Sequence, residues 1–198
     1  MKDSPPNELR ALKKLNTPAR IQDFIDSLPF NFEKNKETCM SPAQILLKKR
    51  AHCLEGALLA SCALALHGKK PLLMHLKVSR GDDHHAIALF KQGGYWGAIS
   101  QTNHAVLGYR DPVYKTLREL ALSYFHEYFL YNDGKKTLLA YSRHFSLAPY
   151  ENWMTRTDNL WDIAVRRYND GYKWTEIAKT NKIADGNVIE KGTKLNLP

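Results

Sequence analysis

Cysteine is scarce in this chain, and so are long apolar runs and acidic side chains. Three cysteines in 198 residues (Cys39, Cys53 and Cys62) are too few for a disulfide framework, and an odd number leaves at least one unpaired. Cys53 and Cys62 stand 9 positions apart, about 900° around a helix, so they point to opposite faces and cannot bridge within it. Reduced thiols are the simplest expectation. No apolar stretch approaches the roughly 20 residues that cross a bilayer. The opening M-K-D-S-P-P-N-E-L-R lacks the apolar centre of a secretory signal. A cytoplasmic protein without a membrane span is therefore expected, with association at the cell envelope as the alternative.

Other absences are as informative. No C-x-x-C, H-x-x-x-H or H-x-H spacing occurs, so His52, Cys53, His84, His85 and Asp82/Asp83 do not read as a zinc site. No metal and no cofactor is expected. There is no internal repeat and no low-complexity segment. The net charge of +9 is uneven: residues 1–150 carry 21 Lys/Arg against 13 Asp/Glu, and residues 151–198 carry 8 against 7. The basic groups come in short sets (Lys48-Lys49-Arg50, Lys69-Lys70, Lys135-Lys136) without interleaved aromatics, which suits a solvated face better than a nucleic-acid surface.

What is present is a set of well-punctuated elements. Residues 1–16, with Pro5-Pro6 in a polar surround, read as a flexible N-terminus. Thr17-Pro18 and Ser41-Pro42 each pair an N-cap with proline at the first helical position. The first helix gains an apolar face from Ile21, Phe24, Ile25 and Leu28. The second ends in the cations of Lys48-Lys49-Arg50, which suit a helix C-terminus. A third helix starts at Cys53 and places Cys53, Gly56, Ala57, Ala60 and Leu64 on one face, with Gly68 as its stop. Strands are expected over Leu72–Val78, His84–Lys91 and Tyr95–Ser100, the last two forming an antiparallel hairpin around Gly93-Gly94. Asp111-Pro112 reads as a break, 114–128 as a long helix, and 138–147 as one more strand. Pro149 marks a domain boundary, which gives 17–149 as the main domain and 150–198 as a small module.

The chemistry concentrates between His52 and Ser100. A thiol is a poor nucleophile until it loses its proton, and the partial positive charge of a helix start lowers a cysteine pKa. An imidazole within reach can take that proton and return it to a leaving group. Cys53 is placed for the first role. For the second there are two histidines on opposite faces of one strand: His85 shares a row with Ile87 and Leu89, and His84 shares one with Ala86, Ala88 and Phe90. The alternation alone does not choose between them.

A small-residue helix led by Cys, then a strand, then His at the head of the next strand, then a strand with Trp, resembles the transglutaminase-like (papain-like cysteine) superfamily. Arylamine acetyltransferases and peptide N-glycanases share that core. The resemblance spans about residues 18–130 and is strongest at H-C-L-E-G-A, D-D-H-H-A-I-A-L-F and Y-W-G-A-I-S. It implies Cys53 as nucleophile and His85 as general base, acting on a peptide, amide or ester by hydrolysis or acyl transfer. The family's third residue is usually Asp; the corresponding slot after Trp96 holds Ser100, and Asn103 is the other candidate for that service. A serine orients an imidazole without supplying the charge that stabilises imidazolium. The alternative is a non-catalytic binding or scaffold protein that keeps the cleft.

Residues 151–198 hold three of the four tryptophans, Trp153, Trp161 and Trp174. The strings T-D-N-L-W-D-I-A, R-Y-N-D-G-Y-K-W-T-E-I-A-K-T-N and N-V-I-E-K-G-T-K-L-N-L-P resemble LysM, a carbohydrate-binding βααβ module. That resemblance implies a groove for N-acetylglucosamine-containing glycan or peptidoglycan at Asp158, Asn159 and Leu160 with Asn187, Val188 and Ile189. The expected whole is α+β: a helix-plus-antiparallel-sheet, transglutaminase-like core followed by a small LysM module.

Overall fold

The computed structural model describes residues 7–33, 38–149, 153–155, 173–183 and 196–197. The architecture is α+β, with helices packed on both faces of an antiparallel sheet. Helix α1 (Pro18–Asp26) begins where Thr17 Oγ1 accepts the Arg20 amide at 3.2 Å. Helix α2 (Pro42–Lys48) begins in the same way, with Ser41 Oγ accepting from Gln44 N, and stops where Lys49 turns left-handed at φ 53°. Helix α3 (Cys53–Leu66) is buried from Leu54 to Ala65, and its Ala, Gly and Ser positions let neighbouring backbone approach on every side. Gly68, at φ 75°, ends it: Gly68 N donates to Ala65 O and Lys69 N to Leu64 O.

The sheet follows. Strands β1 (Leu72–Val78), β2 (His85–Gln92) and β3 (Tyr95–Ile99) pair antiparallel, and Gly93 and Gly94 supply the two positive φ values of the tight β2–β3 turn. Beyond β3 lies β4 (Arg110–Tyr114). On the far side, β5 (Leu138–Tyr141) and β6 (Phe145–Ser146) share the outer edge of β1, so the order is β4-β3-β2-β1-β5 with β6 also pairing β1. The period-2 alternation divides the core. Leu73, Ala86, Ala88, Phe90 and Ile99 face α1–α3, while Leu72, Met74, Leu76, Ile87, Leu89 and Ala98 face helix α4 (Leu117–Phe125). Among the described residues no helix is long and apolar enough to cross a membrane.

Several expectations need correction. Residues 7–14 are a 3-10 helix rather than loose chain: Leu9 and Leu12, three apart and hence eclipsed, are fully buried against the α1–α3 core. Burying two leucines stabilises by roughly 3–6 kcal/mol, enough to order one short polar segment. The helix expected over 114–128 is nine residues, Leu117–Phe125. The stretch read as a break is β4, an edge strand, where Pro112 removes no ladder bond the sheet needs. The single strand expected over 138–147 is two short ones. Trp153, assigned to the C-terminal module, is buried in the main core, and Met154 O accepts from Ala43 N at 3.0 Å. Further along the chain, helix α5 (Trp174–Thr180) ends where Asn181 Nδ2 donates to Ile177 O and to Asn196 O.

Candidate active site

The site begins with the cap of α3. His52 occupies the N-cap in extended conformation, and its Nδ1 accepts the Leu54 amide at 3.2 Å. Glu55, three residues on, returns a carboxylate oxygen to the His52 amide at 3.0 Å. This is a capping box with imidazole in the place usually held by a hydroxyl. It fixes Cys53 at the first helical position.

Glu55 does more than cap. Its side chain is fully buried, and its oxygens accept from Asn31 Nδ2 (3.1 Å), Thr38 Oγ1 (2.8 Å) and Met40 N (3.0 Å) as well as from His52 N. The carboxylate thereby pins Asn31, Thr38 and Met40 to the start of α3. Phe30, bridged in parallel to Ala51, and Glu33, left-handed at φ 51°, complete that wall. Thr38 in turn donates to Glu33 Oε1 through its amide.

The opposite wall comes from the sheet. His85 is the histidine that meets Cys53, although its row faces α4 and the neighbouring row packs under α3. The reason is position along the strand: the thiol lies at the beginning of β2, its Sγ 3.7 Å from the His84 carbonyl oxygen, rather than over the middle of a face. His84 turns away. Its Nδ1 accepts the Val78 amide at 3.1 Å, and its ring stands edge-on to His75.

Behind His85, Nε2 lies 2.5 Å from Ser100 Oγ. Ser100 is fully buried and clasped by Gln22 of α1, whose Oε1 accepts the Ser100 amide at 3.0 Å and whose Nε2 donates to Ser100 O at 2.8 Å. Asn103, the other candidate for this seat, is exposed at the cleft rim with no hydrogen bond to His85; the place is already filled by the serine one strand-end earlier.

The walls enclose a cleft of about 320 Å³ with half-buried Cys53 among its lining. Burial is the largest single influence on the thiol and opposes its ionisation. Hydrogen bonding with His52 and His85 and the charges of both rings overcome it and hold Cys53 at about 5, down from 9.0. Cys62, with burial alone, is pushed up to about 12. Tyr128 also lines the cleft; burial first, then the nearby Cys53 and Asp82, raise its hydroxyl, which makes no hydrogen bond among the described residues. Among the described residues no three His, Cys, Asp or Glu side chains are grouped to hold a metal ion.

No family model matches the sequence, and no curated protein does. Among solved structures, the chain is similar to "The Crystal Structure of a Putative Cysteine Protease from Cytophaga hutchinsonii", at 12% identity and a TM-score of 0.41. The match covers 71% of this chain and 51% of that one, so the chain spans about half that structure's length.

The residues chosen from sequence thus divide. Cys53, His85 and Ser100 come together, and Asn103 stays at the rim. Asp158, Asn159, Leu160, Asn187, Val188 and Ile189 lie outside the described residues. Sequence reasoning missed His52, Glu55, Glu33 and Gln22. The first two carried a signal in H-C-L-E, an N-cap to N3 spacing disguised by the imidazole.

Proposed function

We propose that the chain is a thiol-dependent hydrolase or acyl transferase of transglutaminase-like architecture, acting on a peptide, amide or ester. The observation that carries this is the half-buried Cys53 thiol at a helix N-terminus, held well below its ordinary pKa beside imidazoles in an open cleft. His85 takes the Cys53 proton. The sulfur forms a bond to the carbonyl carbon as the bond to the leaving nitrogen or oxygen breaks, and His85 passes its proton to that leaving group. Water then gives a proton to His85 as it adds to the thioester carbon, and the C–S bond breaks to release the thiolate beside the protonated ring. An amine or alcohol in the water's place makes the same sequence a transfer.

The test is covalent. Incubation with p-nitrophenyl acetate should yield one acetyl group, mapped by mass spectrometry to Cys53 and lost on Cys53→Ser substitution. No adduct at Cys53, or equal labelling at Cys39, leaves the binding-protein alternative in possession of the cleft.

For residues 150–198 the proposal is a LysM-type module that positions the enzyme on N-acetylglucosamine-containing glycan. Its support is the sequence resemblance together with the clasp between Asn181, which follows α5, and Asn196. Titration with chitin oligomers should give saturable binding in the intact chain. The absence of binding at about millimolar oligomer, a free energy weaker than about 4 kcal/mol, would reassign the module to protein docking.

A further inference from the structure

The Cys53 sulfur has two imidazole neighbours, and they differ in what stands behind them. Behind His85 is a neutral hydroxyl, Ser100 Oγ. Behind His52 are carboxylates: Nε2 donates to Thr38 O at 3.0 Å and lies 3.6 Å from both Glu33 Oε1 and Glu55 Oε1. Those carboxylates cannot swing away, because Glu55 is held by four donors and Glu33 by the Thr38 amide. A fixed carboxylate behind an imidazole favours the imidazolium. In this site that arrangement is found at His52.

We propose that His52 is the standing cation of the site, an imidazolium anchored by Glu33 and Glu55 that holds the Cys53 sulfur as thiolate. The assignment rests on Cys53 being the nucleophile and leaves the proton relay to His85. It explains how a site with serine behind its base still ionises its thiol: the negative charge missing behind His85 is placed behind a second ring on the sulfur's other side. The charged groups facing His52 are Cys53 on its own helix and Glu33 and Glu55 behind it, all three favouring a proton on the ring. Burial is the largest influence and opposes that proton, yet together the Cys53 hydrogen bond and the three charges raise His52 to about 9.

The charge has a structural consequence. In the structure Nδ1 accepts the Leu54 amide; a proton on Nδ1 would release that amide and turn the nitrogen into a donor toward sulfur. The released N–H belongs to the residue after the nucleophile. It is therefore free to receive the oxygen of a carbonyl under attack, the role that donors at a helix start perform best. No atom is transferred to or from His52 during the cycle; its proton is present before the attack and after the thiolate is expelled.

The decisive measurement needs no substrate. His52→Asn keeps a side-chain acceptor at the N-cap, one of the best capping residues, while removing the ring. Alkylation of Cys53 by iodoacetamide, followed peptide by peptide against pH, reads the thiolate directly. The half-maximal pH should rise by at least about one unit, making alkylation about twofold slower near pH 6 and about tenfold slower near pH 4. Glu33→Gln should shift it in the same direction by less, and it carries the test alone if His52→Asn does not fold. Half-maxima within about 0.3 units of wild type in the folded variants would overturn the assignment. Ester acylation separates the two ideas: a shifted thiolate without an acyl adduct keeps the His52 pairing and removes the enzyme, whereas an adduct without the shift does the reverse.

Discussion

His85→Ala should slow acylation of Cys53 by p-nitrophenyl acetate by about 10³-fold, the middle of the range for losing a positioned general acid–base. Ser100→Ala should cost about tenfold, because a neutral hydroxyl orients the ring without stabilising its charge. The His85→Ala thiol should nevertheless alkylate near pH 8 at close to the wild-type rate, since His52 still faces the sulfur. The sign of the pH dependence follows from the thiol itself. Thiolate is the deprotonated form, and the folded protein holds its pKa at about 5 instead of 9.0. Wild-type alkylation should therefore stay level from about pH 9 down to about pH 6 and fall as pH drops through about 5, where an ordinary cysteine has long been silent. Stopped-flow release of p-nitrophenol measures the first effect. A His85→Ala variant retaining a third of wild-type acylation would remove His85 from the mechanism.

Gly56→Ala should be strongly destabilising. A Cβ at this position would stand 2.2 Å from Gln101 Cβ, 3.1 Å from its Cγ and 3.4 Å from its Cα. The obstacle sits at the root of a buried side chain whose far end donates to Leu28 O, so it cannot rotate aside. Either α3 or the segment after β3 must move. Alanine favours a helix over glycine by about 1 kcal/mol, but overpacking of this severity costs about 3 kcal/mol or more. A net loss of about 2 kcal/mol corresponds to a melting temperature lower by about 4–8 °C in a chain of this size. The same displacement carries Cys53, one turn earlier, away from His85, so acylation should fall with stability. A variant that melts within about 2 °C of wild type would show the contact to be softer than its geometry.

The elements legible in the sequence were those set by neighbours in the chain. Thr17-Pro18 and Ser41-Pro42 start helices because the side-chain oxygen satisfies an amide three residues on, and proline gives up no bond there. The β2–β3 hairpin followed from adjacent glycines. β4 was hidden because Asp-Pro reads as a stop, and only its place at a sheet edge, a fact of tertiary structure, makes proline harmless there. The 3-10 helix over residues 7–14 was hidden because two leucines among charged residues fit no longer pattern.

The site divides in the same way. Cys53 was visible from its helix start, while the choice of His85 over His84 depended on where along β2 the sulfur falls, which no alternation encodes. Glu33 and Gln22 act across gaps that sequence spacing does not register. Glu55 was within local reach, but its four bonds run to residues on two sides of the cap.

The grip of Gln22 on Ser100 joins residues 78 positions apart. A contact of that span closes a long loop and forms late, after local turns and hairpins are in place. A chain whose first helix has yet to dock therefore has α3 and its cysteine before it has a seated serine behind His85. Alignment of that ring, rather than ionisation of the sulfur, is what the last docking step supplies.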